Sequence, residues 1–367
     1  MTSERQLQPL TSQYASFEKM RQNNYLYIDK TAWLHRLITD TEGNAFFISR
    51  PRRFGKSLML STLEAIFQGK RELFKGLAID RTDYDWKVHP VLRLDASKLV
   101  HTSPEALEDS LCYILEGWAE KLDLTLRGNA AKNKLMSLLE KLKGKTFPVV
   151  LIDEYDKPVL NNLADLPKAI AIREALRDFY GVIKSNADDI RFAMITGVSQ
   201  FTKIGFFSDH NTVTSVSMHE DYADMLGYTQ EELETNFSDH IDAVAAAKRC
   251  TRQQLLDDLK TWYDGYQFSE RPVKVYNPTS IAKFFISGGK FDNYWFQAGT
   301  PSFLFPATRD IQMDFFEQLN RALPKTTFET FDLEDLHPLG FLFQAGYLTI
   351  YSLQPPARGR PAVRYWD

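Results

Sequence analysis

The chain has 367 residues, 44% hydrophobic and 25% charged, with a formal net charge of −4. This is ordinary globular composition at a length of about two domains, and it excludes a disordered, collagen-like or disulfide-stapled chain. The longest apolar runs, such as VVLI at 149–152, are too short for a membrane span. The polar N-terminus MTSERQLQPL carries no secretion signal. Cys112 and Cys250 read as buried thiols in a cytoplasmic protein.

In chain order, Ala45 to Ser49 reads as a buried strand and Lys56 to Gln68 as a helix ended by Gly69. Val91 to Asp95 alternates as a strand, and Ser103-Pro104 starts one or two helices running to Gly144. Phe147 to Ile152 is an apolar strand, Lys168 to Ser185 a helix, Ile190 to Thr196 a strand, and Val213 to Met218 a candidate fifth strand. Strands alternating with helices predict an α/β fold with a parallel sheet covered on both faces. From about Tyr222 the texture becomes short helices (231–237, 253–262, 278–286) separated by turns such as Asp264-Gly265 and Asn277-Pro278. Between Lys203 and Lys248 there are nine Asp or Glu and no Lys or Arg, which makes that stretch a poor nucleic-acid face. The basic maximum lies at Arg50, Arg52, Arg53 and Lys56.

ISRPRRFGKSL, residues 48–58, supplies the second half of the phosphate-loop pattern G-x-x-x-x-G-K-[ST], with Arg50 in place of the first glycine. Backbone N–H groups of such a loop approach phosphates closely, so Arg53, Phe54, Gly55, Lys56, Ser57 and Leu58 are the candidate phosphate cradle. Lys56 bridges phosphates as a point charge, and the Ser57 hydroxyl is a ligand for Mg²⁺. The plain alternative is a basic surface loop with a chance GKS.

FPVVLIDEYD, residues 147–156, is an apolar strand ending in two carboxylates, at the sheet edge where ligands bind. Asp153 is the second candidate metal ligand and Glu154 the candidate base that activates water. A polar strand end capping its turn is the alternative. FAMITGVSQ, residues 192–200, offers Thr196 first and Ser199 second as hydroxyls sensing the terminal phosphate; satisfying the sheet end is an equal reading. Lys203 reads as a surface lysine.

YIDKT (27–31), ISRPRRFGKS, VVLIDEYDKP, ITGVSQFTKIGFFSD (195–209), WYDGYQF (262–268), VYNP (275–278), GTPSFL (299–304) and FLFQAGYLTI (341–350) together resemble the bacterial AAA-ATPase-like family, over about residues 14–350. The resemblance implies a P-loop NTPase with a parallel sheet in 5-1-4-3-2 order flanked by helices, followed by a mainly helical C-terminal region. It also implies ATP rather than GTP, with Mg²⁺. The boundaries expected are an NTPase domain at 1–220, a helical region at 221–353 and a linker-like tail at 354–367. Family members often continue into a PD-(D/E)XK nuclease-like domain, which this sequence lacks, so such an effector is expected only in a longer form.

The seven histidines show no zinc-ligand spacing. Gly197 to Phe201 misses a nucleophile elbow by its last residue. Trp262, Tyr263, Tyr266 and Phe268 read as turn packing with base stacking as the alternative. Phe17 and Tyr27 are candidate adenine flanks, while Arg173 and Arg177 are candidate arginine fingers in a homo-oligomer. The function expected is Mg²⁺-dependent ATP hydrolysis that drives or gates an effector, with Lys56, Glu154 and Thr196 catalytic. The alternatives are a non-hydrolysing nucleotide switch and a nucleic-acid-associated regulator.

Overall fold

A computed structural model describes residues 7–13, 15–41, 43–201, 213–294, 323–329, 332–334, 337–350, 352–354 and 362–364. Continuous apolar runs are what strands covered on both faces require, and three such runs build the centre of the sheet. These are β1 (Ala45–Ser49), β3 (Val149–Asp153) and β4 (Phe192–Gly197), each buried throughout. The half-buried β2 (Val91–Asp95) flanks them on one side. The expected fifth strand shrinks to β5, Thr214–Ser215, exposed at the other edge. All pairings are parallel and the order is 5-1-4-3-2, with Ile48 opposite Thr196 and Asp95 opposite Asp153.

Alternate residues of the buried strands enter two cores, as the two-residue strand period dictates. Phe46, Ile48, Leu151 and Met194 pack with helices α1 (Phe17–Gln22), α2 (Thr31–Ile38) and α3 (Lys56–Phe67). Phe47, Ile152, Ala193 and Ile195 face α4 (Pro104–Lys121), α5 (Ala131–Leu142) and α7 (Leu166–Ser185). Between β3 and α7 lies the single turn α6 (Lys157–Leu160). Ser103 caps α4 by accepting from Ala106 N, as its Ser-Pro start predicts.

A third core joins α8 (Gln230–Asn236), α9 (Ser238–Lys248), α10 (Arg252–Tyr263) and α11 (Pro278–Ile286) through Phe237, Leu259, Ile281 and Phe284. The YIDKT motif ties this layer to the N-terminal segment. Lys30 Nζ donates to both Glu232 oxygens (2.6 and 2.7 Å) and to the Asp224 carbonyl (2.8 Å), while Asp29 accepts from Thr31 and Ala78. Beyond it come α12 (Thr326–Glu329) and α13 (Pro338–Ala345), and a small antiparallel sheet of 323–324, 352–354 and 362–364. Residues 362–364, inside the expected linker-like tail, therefore pair as a strand. No helix among the described residues is long and apolar enough to cross a membrane. Lys203 and GTPSFL lie outside the described residues.

Candidate functional site

β1 ends at Ser49 and α3 begins at Lys56, so residues 50–55 form the connecting loop. Gly55 enters α3 at φ +89°, where only glycine is free of steric cost. Lys56 is 6% exposed, and its Nζ donates to the carbonyls of Arg50 (2.6 Å) and Pro51 (2.9 Å). Two of its three donors are thus fixed on the loop, and the third has no partner among the described residues. Burial lowers its pKa, opposed by the carboxylates of Glu154, Asp153 and Asp156.

Arg50 is a correction to the basic-loop expectation. Its side chain is 1% exposed, with Nη1 donating to the Ser49 (2.9 Å) and Ser217 (2.6 Å) carbonyls and the guanidinium 4.2 Å from the Phe268 ring centre. Burial pushes its pKa down to about 9, so it stays charged at neutral pH. This arginine anchors the loop from beneath. Phe54 is likewise turned inward, edge-on to Tyr266 (4.9 Å) and Phe268 (5.3 Å), so its side chain is not a phosphate contact. Tyr263, Tyr266 and Phe268 pack the turn, as expected, while Trp262 stays 48% exposed.

Across the loop, Asp153 ends β3 with 3% exposure and accepts from Thr196 Oγ1 at 2.7 Å. Asp156 accepts from Val198 N (3.0 Å), Ser199 N (2.8 Å) and Ser199 Oγ (2.6 Å). The two hydroxyls considered as phosphate sensors therefore serve different carboxylates. Glu154 adopts φ +50°, a left-handed conformation that costs a non-glycine residue about 1–2 kcal/mol. Burial raises its pKa, opposed by Lys157 (3.7 Å away) and Lys56.

A cavity of about 440 Å³ brings these pieces together. One wall is Arg52, Arg53, Gly55, Lys56, Ser57 and Leu58, with Glu154 beside them. The second wall is the N-terminal segment around Leu10 to Gln13 with Met20 and Leu26, and the third is Tyr228, Phe237, Pro278, Thr279 and Ala282. Thr279 Oγ1 donates to the Arg53 carbonyl at 3.3 Å, fastening the helical layer to the loop. Neither Asp153 nor Thr196 lines the cavity; both are buried, with Asp153 within electrostatic reach of Lys56. A larger cavity of about 820 Å³ beside α10 contains no residue of the loop, so the chemistry selects the smaller one.

The candidate adenine flanks are corrected. Phe17 is fully buried against Phe74, and the Tyr27 hydroxyl faces Thr62 at 3.4 Å; neither lines the cavity. Tyr228, Phe237, Leu10 and Leu26 line the cavity instead, and no local pattern marks them because they meet only in the fold. Arg173 is buried and paired with Glu174, Asp332 and Glu334, which ties it into the fold, whereas Arg177 is half-exposed and pairs only with Glu174 on its own helix among the described residues.

No group of three or more His, Cys, Asp or Glu forms a metal cage among the described residues. Mg²⁺ at a phosphate site keeps several waters and takes only one or two protein oxygens besides phosphate. The donor set fits that mode. Ser57, in the first turn of α3, lines the cavity, and the second Asp153 oxygen has no hydrogen-bond partner among the described residues.

The AAA-ATPase-like family, described as predicted AAA-ATPases, matches residues 13–207. A relative from Azotobacter chroococcum mcd 1, titled an uncharacterized protein in the vnfD 5′ region, is 35% identical over 356 residues. That alignment covers 95% of this chain and 66% of the relative, so the chain spans just under two thirds of its length. A solved structure of Drosophila ORC bound to GC-rich DNA and Cdc6 aligns over 86% of this chain and 44% of that one, at 10% identity. Its TM-score of 0.32 is too low to carry an argument.

Proposed function

This chain belongs to the AAA-ATPase-like family, and from that premise we propose that it binds ATP with Mg²⁺ and hydrolyses it. The observation that carries the reading is one cavity lined by Lys56, Ser57 and Glu154, with the buried Asp153 within electrostatic reach of Lys56. Lys56 is oriented by two loop carbonyls and offers its remaining donor to the phosphates. The loop N–H groups and the N-terminus of α3 add positive potential at the same point. Ser57 Oγ and the Asp153 oxygen not bonded to Thr196 would hold Mg²⁺, which neutralises phosphate-oxygen charge when bound. Thr196 keeps Asp153 oriented through its 2.7 Å bond.

Glu154 acts as the base. Its carboxylate takes a proton from a water molecule whose oxygen attacks the γ-phosphorus; the bond from γ-phosphorus to the β–γ bridging oxygen breaks, and its electron pair leaves with ADP. Tyr228 and Phe237 supply the apolar wall for the base of the nucleotide. Phosphate release with Mg²⁺ and ATP tests this. Lys56→Ala and Glu154→Gln should each lower turnover by about 100-fold or more. Wild-type protein turning over no faster than Glu154→Gln would refute hydrolysis, and retained tight ATP binding would then favour the nucleotide switch. An effector driven by the cycle, in a longer form or as a partner, is part of the same proposal.

A further inference from the structure

In phosphoryl transfer negative charge spreads over the equatorial and bridging oxygens as the bond to the leaving group breaks, and an arginine that stabilises it, besides the lysine and the metal, speeds the step greatly. Among the described residues lining the cavity, the cations are Lys56, Arg52 and Arg53, all from a single loop. The helical layer contributes Tyr228, Phe237, Pro278, Thr279 and Ala282, none of them charged. Lys157 is committed to Glu154, and Arg173 is tied into its carboxylate network.

Arg53 stands apart within this set. It is exposed, lines the cavity beside Lys56 and Ser57, and has no hydrogen bond or ion pair from its side chain among the described residues. Its backbone lies at φ +65°, where glycine would fit without strain and an arginine does not. Contacts on both sides hold this part of the loop: Pro51 and Phe54 are buried, and Thr279 donates to the Arg53 carbonyl. A cationic side chain at a backbone position that suits glycine, on the wall of the cavity beside Lys56, has a chemical reason to be there.

We propose that Arg53 is the catalytic cation of this ATPase, supplied in cis by the phosphate loop itself, and stabilises charge on the γ-phosphoryl oxygens and the β–γ bridging oxygen in the transition state. The inference rests on the hydrolysis reading above and removes the need for an arginine from a second copy of the chain.

Arg53→Gly is the decisive variant because it removes the guanidinium while relieving the backbone. The expected result is an unchanged or higher melting temperature, nucleotide affinity (measured with a fluorescent ATP analogue) within about tenfold of wild type, and turnover down by about 100-fold or more. Arg53→Lys should recover part of the rate. An equimolar mixture of Arg53→Gly and Glu154→Gln should stay inactive, because no copy then holds both groups. Turnover of Arg53→Gly within about threefold of wild type would overturn the proposal and leave the hydrolysis reading intact. Restored activity in the mixture would overturn the cis assignment. Wild-type protein that binds the analogue without turnover would instead bring down the hydrolysis reading, and this assignment with it.

Discussion

Replacing Gly346 by alanine asks whether the C-terminal segment is seated on the phosphate loop. Gly346 ends α13 at φ +86°, and a Cβ there would stand 2.6 Å from both Cβ and Cγ of Pro51. A left-handed backbone costs a non-glycine residue about 1 kcal/mol. Overpacking against a rigid proline ring adds about 1–3 kcal/mol, for about 2–4 kcal/mol altogether. Gly144→Ala isolates the first part, since Gly144 has φ +74° and nothing within 4 Å of an added Cβ. Urea unfolding followed by circular dichroism should therefore rank Gly346→Ala well below Gly144→Ala. Because the Pro51 carbonyl holds Lys56 Nζ, the clash should also weaken binding of a fluorescent ATP analogue, which Gly144→Ala leaves alone. Equal loss of stability in the two variants would refute the seating.

Glu154→Gln should melt above wild type while losing turnover. The half-buried carboxylate has a pKa raised by desolvation, so its ionised form is a burden on the fold at neutral pH that the amide removes; a lower melting temperature would contradict this. The pH profile of kcat/KM should be bell-shaped and narrowed from both ends. Glu154 must be ionised and loses its proton only above the ordinary carboxylate range, while Lys56 must be charged and, with its pKa lowered by burial, neutralises below the ordinary lysine range. Bound phosphates favour the lysine cation, so the alkaline limb of kcat should lie at higher pH than that of kcat/KM; coincident limbs would exclude Lys56 as its source.

The sheet was legible because it is built from local signals. Parallel strands buried on both faces read as unbroken apolar runs, and β1, β3 and β4 fall within two residues of their expected ends. β5 was overdrawn because its pairing stops at two exposed residues on an edge, where burial imposes no pattern. Half of the site was legible for the same reason: strand-GKS-helix and a strand ending in Asp-Glu each sit within a dozen residues. The other half meets only through tertiary contact. Leu10, Tyr228, Phe237 and Thr279 come from segments up to 269 positions apart. The only local trace is Asn277, which caps α11 through Thr279 N and Ser280 N and so brings that helix start to the loop. Phe17 and Tyr27 were misplaced because nearness in sequence to the loop is no guide to facing it; the face of α1 that carries Phe17 belongs to the core.

The broken loop pattern has a physical explanation that its letters hide. The two glycine positions of G-x-x-x-x-G-K-S are not equivalent in this backbone. At Gly55 the chain needs φ +89°, so glycine is required. Arg50 is not among the residues of positive φ, and its side chain leaves the loop toward Ser217 and Phe268, away from the cavity. A side chain at position 50 therefore obstructs nothing and serves as an anchor, which is why the loop can discard its first glycine and keep its geometry. Arg53 is the converse case, since its backbone suits glycine and the sequence provides a guanidinium. Substituting glycine at position 50 would remove an anchor, while at position 53 it would remove a charge; the two should separate as a loss of stability and a loss of turnover.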